Sequence, residues 1–342
     1  MSRHARLSIV WAAIGVMLLV TALAAIGALN RDVYGAGAFV GRYLETLASK
    51  DAAAALDIPG VRLDDSALSA AGLPEGSSDL LLRTETLAGL SEIQQVSDED
   101  MGDGVHEVVF SYRAGNSYGE STFYVKSDGT RFPLIPEWRF DESPLAVMNL
   151  AVQHTTSFSV NGFDVDTRQA SDQEPAFDNI VNLLVFSPGR YDVTIDTGLL
   201  TSESEGVLVD EPSRVHEASV AAVPTDEFVE LVQDSVNAHL DECATQAVLQ
   251  PTGCPFGINI DDRVSTPPTW SMDDYPEITI EPGDETWEIP QVDGSASVDV
   301  DVQSLFDGTV SNVDEDVDFV MTGLVYLQGD GSVDVQLEAV GQ

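Results

Sequence analysis

The chain has 342 residues, and its 58 Asp and Glu outnumber its 15 Lys and Arg, which gives a formal net charge of −43. A surface of this sign repels nucleic-acid phosphates and anionic lipid headgroups, so a general nucleic-acid binder is excluded. The hydrophobic share of 43% is that of a folded protein and excludes an acidic disordered tail. The length predicts two or three domains.

The amino-terminal residues 7–29 read LSIVWAAIGVMLLVTALAAIGAL, a run without charges. About 20 apolar residues cross the hydrocarbon core of a bilayer as a helix, so the run predicts a transmembrane helix. Arg3 and Arg6 precede it, which places residues 1–6 in the cytoplasm and the bulk of the chain outside. The sequence therefore predicts a single-pass protein of the cell membrane. A cleaved secretory signal stays open as the alternative.

The first outer segment, residues 33–142, begins with AFVGRYLETLASKDAAAALDI, in which apolar residues recur every three or four positions and predict an amphipathic helix. The β-rich runs HEVVFSYRA, ESTFYVKS and PEWRF follow it. Asp128-Gly129 after the second run is a hairpin turn signal. A helix before antiparallel strands indicates an α+β domain.

The opening pattern F-V-x-x-Y-L-x-x-L-x-x-x-D-A-x-x-A-L, followed by an antiparallel sheet, resembles the cone-shaped, cystatin-like α+β fold of the nuclear transport factor two superfamily. The resemblance covers this first segment only. Members of that superfamily include enzymes, scaffolds and small extracytoplasmic domains beside membrane anchors. The resemblance therefore implies a fold and no activity.

The second segment, residues 143–224, contains FSVNGFDVD and NLLVFSPGRYDVTIDT. The latter predicts two strands on either side of the turn Ser187-Pro188-Gly189. This pattern resembles the proline-glycine hairpin of PEGA-type β-sandwich modules in bacterial envelope proteins. The resemblance implies a small β-rich module with no chemistry of its own.

The third segment, residues 225–342, opens with a predicted helix whose N-cap falls at Pro224 and Thr225. Strands with alternating apolar residues are predicted at 277–281, 298–302, 316–327 and 333–337. The segment is therefore predicted to be a second, acidic α+β domain with one helix on an antiparallel sheet. The residues predicted to line the apolar face of its helix are Phe228, Leu231, Val232, Val236, Leu240 and Cys243.

Taken together, the apolar run and the sequences PEWRFDESPLA, FSVNGFDVD and VNAHLDECATQAVLQPTGCPFG resemble a family of single-pass envelope proteins from high-GC Gram-positive bacteria. That resemblance implies a location and no reaction. The predicted fold class is thus α+β: a transmembrane helix, a cone-like α+β domain, a small β-sandwich-like module and a helix-on-sheet domain.

Cys243 and Cys254 are the only cysteines, and both fall in the part predicted to lie outside, where disulfides persist. We expect them to form a disulfide. The alternative is a zinc site, since His239 lies one helical turn before Cys243. Zinc takes about four ligands, and a further one such as His216 would have to come from a distant part of the chain.

Gly115-Asn116-Ser117-Tyr118-Gly119 matches the G-x-S-x-G motif of serine hydrolases. That motif needs a strand before the serine and a helix after it, whereas strands are predicted on both sides here. The pattern favours a polar hairpin loop. A hydrolase using Ser117 stays an alternative hypothesis, and it would need an acid and one of His154, His216 or His239 nearby.

The carboxylates of the third segment have two interpretations. Asp299 and Asp301 alternate with valines, which predicts the solvent face of half-buried strands. Residues 313–316 together with Asp318 would instead offer several oxygens to calcium, a divalent cation partner. The leading hypothesis is a non-enzymatic envelope protein that binds a partner or ligand or acts as a spacer. A calcium-dependent surface interaction module is the alternative. No catalytic residue, metal ligand or cofactor is assigned.

Overall fold

The computed structural model describes residues 11, 14–18, 20–21, 34–131, 135–171, 173–329 and 331–340. Among the described residues from 34 onward the helices are short, apart from the first and the last. They are α1 (Ala36–Ala48), α2 (Ala52–Leu56), α3 (Asp65–Ala70), a 3-10 turn (Thr84–Thr86), α4 (Thr167–Ala170) and α5 (Asp226–Ala244).

Strands form most of the regular structure. They are β1 (Leu90–Gly102), β2 (Val105–Ala114), β3 (Ser117–Arg131), β4 (Ile135–Phe140), β5 (Leu145–Gln153), β6 (Ser157–Val160), β7 (Phe163–Asp166), β8 (Asp178–Phe186), β9 (Gly189–Thr194), β10 (Leu200–Thr201), β11 (Glu205–Val209), β12 (Val215–Ala221), β13 (Val223–Pro224), β14 (Arg263–Val264), β15 (Thr269–Asp274), β16 (Glu281–Pro282), β17 (Trp287–Gln303), β18 (Val310–Leu327) and β19 (Val333–Ala339).

The N-terminal sheet is the antiparallel meander β1-β2-β3-β4, and α1 packs against its first three strands. Helix α1 forms because its apolar residues share one face. Phe39, Val40, Tyr43, Leu44 and Leu47 are all at most 5% exposed. The predicted turn at 128–129 is wrong, because these residues lie inside β3, where the pairing with β4 shifts register.

Strand β1 forms an edge of the N-terminal sheet, and within the described part of the chain it pairs only with β2. Its sequence LSEIQQVSDEDMG is polar, and most of its side chains are exposed. Three register shifts interrupt its pairing with β2. The strand therefore owes its conformation to its partner strand more than to its own apolar content.

Two middle sheets have the strand orders β12-β5-β8 and β11-β9-β6-β7. Strands β8 and β9 flank the turn Ser187-Pro188-Gly189, but they lie in different sheets. The predicted hairpin is therefore an arch that carries the chain from one sheet to the other. Both sheets contribute to one apolar core, which they share with α5 and the last sheet.

The C-terminal sheet is built on the long hairpin of β17 and β18, with β14, β15 and β16 on one side and β19 on the other. The alternation of buried and more exposed residues along β17 explains why this strand forms. Ala296, Val298, Val300 and Val302 are buried, and the residues between them are less buried. Helix α5 packs against β15 and β19. Its N-cap is Thr225, whose Oγ1 accepts a hydrogen bond from the backbone N–H of Phe228 at 3.3 Å.

The predicted α+β class is wrong, since the described part of the chain is mainly β. The physical reason is the length of the strands. β17 and β18 have 17 and 18 residues and extend beyond the predicted strands 298–302 and 316–327. A further long strand, β1, lies where the sequence has no alternating apolar pattern.

The predicted membrane-spanning helix over 7–29 also needs correction. The structure describes residues 11, 14–18, 20 and 21 of that stretch as helical, and the rest lie outside the described residues. In the described part of the chain no helix is long and apolar enough to cross a membrane, which takes about 20 residues. The single-pass topology, the membrane partner and the cell-membrane location rested on this helix, and they are corrected with it.

Buried hydrogen bonding by Tyr43 connects α1 to the middle segment. The hydroxyl of Tyr43 donates to the carbonyl oxygen of Ser187 at 2.9 Å, and both residues are 0% exposed. Burial raises the pKa of the Tyr43 phenol, so the group stays a proton donor. The bond joins the core under the N-terminal sheet to the arch between β8 and β9.

Replacing Tyr43 with Phe should lower the free energy of unfolding by about 1–3 kcal/mol, because the buried carbonyl of Ser187 loses its donor. Urea denaturation followed by circular dichroism measures the change. Tyr118→Phe is the control, since Tyr118 is 68% exposed and its substitution should have no effect. Equal stability of the Tyr43→Phe variant and the wild type would contradict the assignment.

Cys243 at the end of α5 and Cys254 in the following loop are joined by a disulfide bond. Replacing both with Ala should lower the free energy of unfolding by about 2–3 kcal/mol, because the unfolded chain regains the entropy of the open loop. Thermal denaturation with and without a reductant provides the check. The reductant should destabilise the wild type and leave the double variant unchanged.

Candidate functional sites

A cleft of about 800 Å³ opens between the middle sheets and the C-terminal sheet. Its walls come from seven separate parts of the chain, so no single stretch of sequence reveals it. These parts are the loop after β5, helix α4, the loop before β8, the loop leading into β10, the first turns of α5, the start of β17 and the end of β18.

An aromatic cluster supports one wall of this cleft. The ring of His154 lies 5.1 Å from that of Phe177 and 5.6 Å from that of Trp287. Phe177 meets Trp287 edge to face at 5.6 Å, and Trp287 meets Phe228 of α5 in the same way at 6.1 Å. Trp287 is only 2% exposed, whereas His154 and Phe177 are half-buried. The cluster thus presents His154 and Phe177 to the cleft and uses Trp287 as their support.

His154 has a left-handed backbone with φ of 65°, which residues other than glycine seldom adopt. Two contacts hold it. Its backbone N–H donates to Asp178 Oδ1 at 3.0 Å, and its Nδ1 lies 3.2 Å from the carbonyl oxygen of Ala222. Because a carbonyl only accepts, Nδ1 carries the proton. The backbone is therefore held by Asp178 and the ring by Ala222, from two separate segments.

The charges around the cleft are unequal in sign. Arg168 lines the cleft but is paired with Asp166, through Nε to Oδ1 at 2.7 Å and Nη2 to Oδ2 at 2.6 Å. The hydrogen bond from Arg168 is the main cause of the lowered pKa of Asp166. Glu227 in the first turn of α5 and Glu285 before β17 are exposed carboxylates on the same cleft. The charge of Arg168 is neutralised by Asp166, so the two glutamates give the cleft a net negative charge.

A second notable surface is the hairpin end, which we define as residues 304–309 between β17 and β18. Here Phe306 is 99% exposed and Leu305 is 74% exposed. The loop is ordered by its own polar groups. The backbone N–H of Ser304 donates to the carbonyl oxygen of Thr309 at 2.9 Å, and that of Gly308 donates to Ser304 at 3.0 Å.

Two carboxylates also brace the hairpin end. Asp307 Oδ1 accepts from the hydroxyl of Thr309 at 2.7 Å and from its backbone N–H at 3.1 Å. The hydrogen bond from the Thr309 hydroxyl is the main reason that the pKa of Asp307 is lowered. Asp262 Oδ1 accepts from the backbone N–H of Leu305 at 3.1 Å. Because Phe306 is 99% exposed, its side chain does not hold the loop in shape against any other described residue.

Ser117, the candidate nucleophile, begins β3 and follows β2, so strands flank it on both sides. Its Oγ accepts a hydrogen bond from Arg190 Nη1 at 3.0 Å. The histidines that would have to serve it make their ring hydrogen bonds elsewhere. His154 bonds to Ala222, His216 to the carbonyl of Glu211 at 3.1 Å and His239 to the carbonyl of Gly253 at 2.9 Å.

The structure bears on both metal sites suggested by the sequence, the zinc site at His239 and Cys243 and the calcium site at residues 313–318. Cys243 is in the disulfide and His239 is half-buried against Gly253, so the two do not share a site. Among the described residues no group of three or more His, Cys, Asp or Glu is arranged to hold a metal ion. The predicted calcium partner is therefore corrected. Residues 313–318 lie in β18, where Glu315 points to the face opposite that of Asp314, Asp316 and Asp318. The three aspartates on one face are spaced along an extended strand at about 6.5 Å per step, so they do not converge on one ion.

Comparisons with known proteins give little. No protein-family model matches the chain, and no curated protein matches it. Among solved structures, an NTF2-like protein involved in plasmid conjugation is similar at 11% sequence identity, over 75% of this chain and 80% of that chain. The TM-score is 0.13, so we draw no conclusion about fold or function from it.

Sequence reasoning missed both surfaces. Leu231 was predicted to lie on the buried face of α5, yet it is 43% exposed and lines the cleft. The available signal for the hairpin end was two large apolar residues, Leu305 and Phe306, directly before the turn dipeptide Asp307-Gly308.

The pairing of Arg168 with Asp166 has a pH dependence with a definite sign. A carboxyl group whose pKa is lower in the folded state adds stability above its unfolded pKa, and this is lost as the pH falls through the folded pKa. In Arg168→Gln the pKa of Asp166 should rise toward its ordinary value of 3.8. Carboxyl-carbon NMR titration measures it. The control is Asp64, whose pKa is lowered chiefly by Ser66 and should not move.

Proposed function

We propose that this chain is a non-enzymatic binding protein whose hairpin end docks into an apolar pocket on a positively charged partner protein. The observation that carries the proposal is the 99% exposure of Phe306 at the end of a loop that its own hydrogen bonds keep ordered. Large aromatic side chains that become buried at an interface contribute most of the binding energy there.

The order of the loop strengthens this interpretation. A flexible apolar loop would lose entropy on binding, and that loss would weaken the complex. Residues 304–309 instead hold one conformation through backbone and carboxylate hydrogen bonds. The side chains of Leu305 and Phe306 are not required for that conformation. Their exposure is therefore best explained by a contact with another molecule.

The surroundings of the hairpin end define the chemistry of the partner. Asp307 is exposed within it, and Asp262, Asp299 and Asp314 are exposed on the neighbouring strands and loops. Arg263, paired opposite Gln303 in the sheet, is the last basic residue of the chain. Complementary charge speeds the encounter of two proteins and selects against partners of the same sign. The partner pocket should therefore have an apolar floor and a rim of Lys and Arg.

We also propose that residues 33–142, 143–224 and 225–342 act as three domains and that the first two are NTF2-like and PEGA-like. Support for the first comes from the helices α1 to α3 that precede the meander β1-β2-β3-β4. Support for the second comes from the two middle sheets, whose strands all lie within residues 143–224.

Photo-crosslinking tests the docking proposal. A benzoylphenylalanine at position 306 should give one discrete adduct with a basic protein, which is then identified and purified. The same residue at Tyr118, which is 68% exposed on another hairpin, should not give that adduct. With the purified partner, Phe306→Ala should raise the dissociation constant about 30-fold, the effect of losing a typical hot spot of about 2 kcal/mol.

Two controls make the result decisive. The thermal stability of Phe306→Ala should equal that of the wild type, because the side chain is fully exposed. Increasing salt should slow association, as charge steering requires. The proposal would be wrong if both crosslinking positions captured the same protein or if Phe306→Ala kept full affinity. It would also be wrong if the hairpin end bound a second copy of the chain or phosphatidylcholine vesicles.

A further inference from the structure

We infer that the cleft between the middle sheets and the C-terminal sheet binds a small organic cation that carries an apolar group. This site is independent of the hairpin end, and the inference does not rest on the partner protein. Its volume of about 800 Å³ is within the range of small-molecule sites in proteins.

The charge of the cleft selects a cation. Arg168 is the arginine on its wall, and the bidentate pair with Asp166 compensates it. Glu227 and Glu285 remain, and among the described residues no Lys, Arg or His nitrogen lies within 4.0 Å of either carboxylate. An ammonium group entering the cleft would meet two carboxylates without displacing another cation. An anionic ligand would meet repulsion from the same groups.

The apolar lining selects the remainder of the ligand. Phe177 and Tyr326 are half-buried on the cleft wall, and an aromatic face attracts a cation within about 6 Å. Leu231 is 43% exposed there, although Phe228, Val232, Val236 and Leu240 of the same helix are buried. Burying an exposed leucine against a ligand is favourable. The cleft therefore offers apolar contacts beside its carboxylates.

The wall is also pre-organised. His154 keeps a left-handed backbone that costs free energy and persists only where its surroundings enforce it. Asp178 and Ala222 supply that enforcement, and the rings of Phe177 and Trp287 fix the imidazole from the sides. Strained residues of this kind cluster at ligand sites. A fixed wall loses little freedom when a ligand binds, which favours affinity.

Tyramine is the probe for this site, because it joins an ammonium group to a phenol ring. Its matched control is N-acetyltyramine, which keeps the ring and is neutral. Isothermal titration calorimetry on the full chain measures the affinity for each compound. The buffer contains about 0.15 M salt, which screens interactions between exposed charges more than about 8 Å apart. We expect tyramine to bind and N-acetyltyramine to bind at least about tenfold more weakly, as expected for a lost charged hydrogen bond.

A pair of double variants locates the site. Glu227→Gln with Glu285→Gln keeps the size of both side chains and should weaken tyramine binding about tenfold. Glu315→Gln with Glu338→Gln removes the same charge outside the cleft and should leave the affinity unchanged. Equal affinity for the two compounds, an equal loss in both double variants or no binding of tyramine would overturn the inference. Phe306→Ala should bind tyramine normally, so the two proposals can fail separately.

Discussion

The packing of Trp287 is the contact on which the arrangement of the last two thirds of the chain depends. Its indole lies at the first residue of β17, and it meets Phe228 of α5 on one side and Phe177 and His154 of the middle segment on another. One side chain thus joins the C-terminal sheet, its helix and the loops around β5 and β8. Because an aromatic ring of this size buries a large area and prefers edge-to-face neighbours, its position constrains all three elements at once. The cleft lies beside this contact and owes its fixed wall to it.

The elements that could be predicted are those in which apolar residues recur at the regular spacing of a helix or a strand. Helix α1 shows apolar residues every three or four positions, and its predicted face is buried. Strands β17 and β18 follow from alternating valines, although their full length did not. Strand β1 has no such period, because it is an edge strand exposed along most of its length, and the paired strand β2 determines it. The prediction that β8 and β9 form a hairpin was also wrong, because they lie in different sheets. A turn signal predicts a change of chain direction but does not specify which sheet the next strand joins.

The candidate sites are even less accessible to sequence reasoning. The cleft is assembled from seven separate segments, and none of them carries a recognisable motif. Helical periodicity predicted that Leu231 is buried, because it describes a single helix and carries no information about the cleft next to that helix. The left-handed backbone of His154 depends on Asp178 and Ala222, which are far from it in sequence. Motifs that the sequence did display, at Ser117 and at residues 313–318, proved to be strand segments whose side chains do not converge.

The polar edge strand β1 gives the acidity of this chain a further role. An exposed edge presents unpaired backbone groups on which another strand can assemble, and soluble proteins block such assembly with charge and irregular pairing. Strand β1 has both, since Asp98, Glu99 and Asp100 lie along it and three register shifts bend it away from a flat template. The excess of carboxylates thus keeps the sheets of neighbouring molecules from joining. In acid, where carboxylates become neutral, the charge part of that barrier disappears while the irregular pairing remains, so resistance to fibrous aggregation would then rest on backbone shape alone.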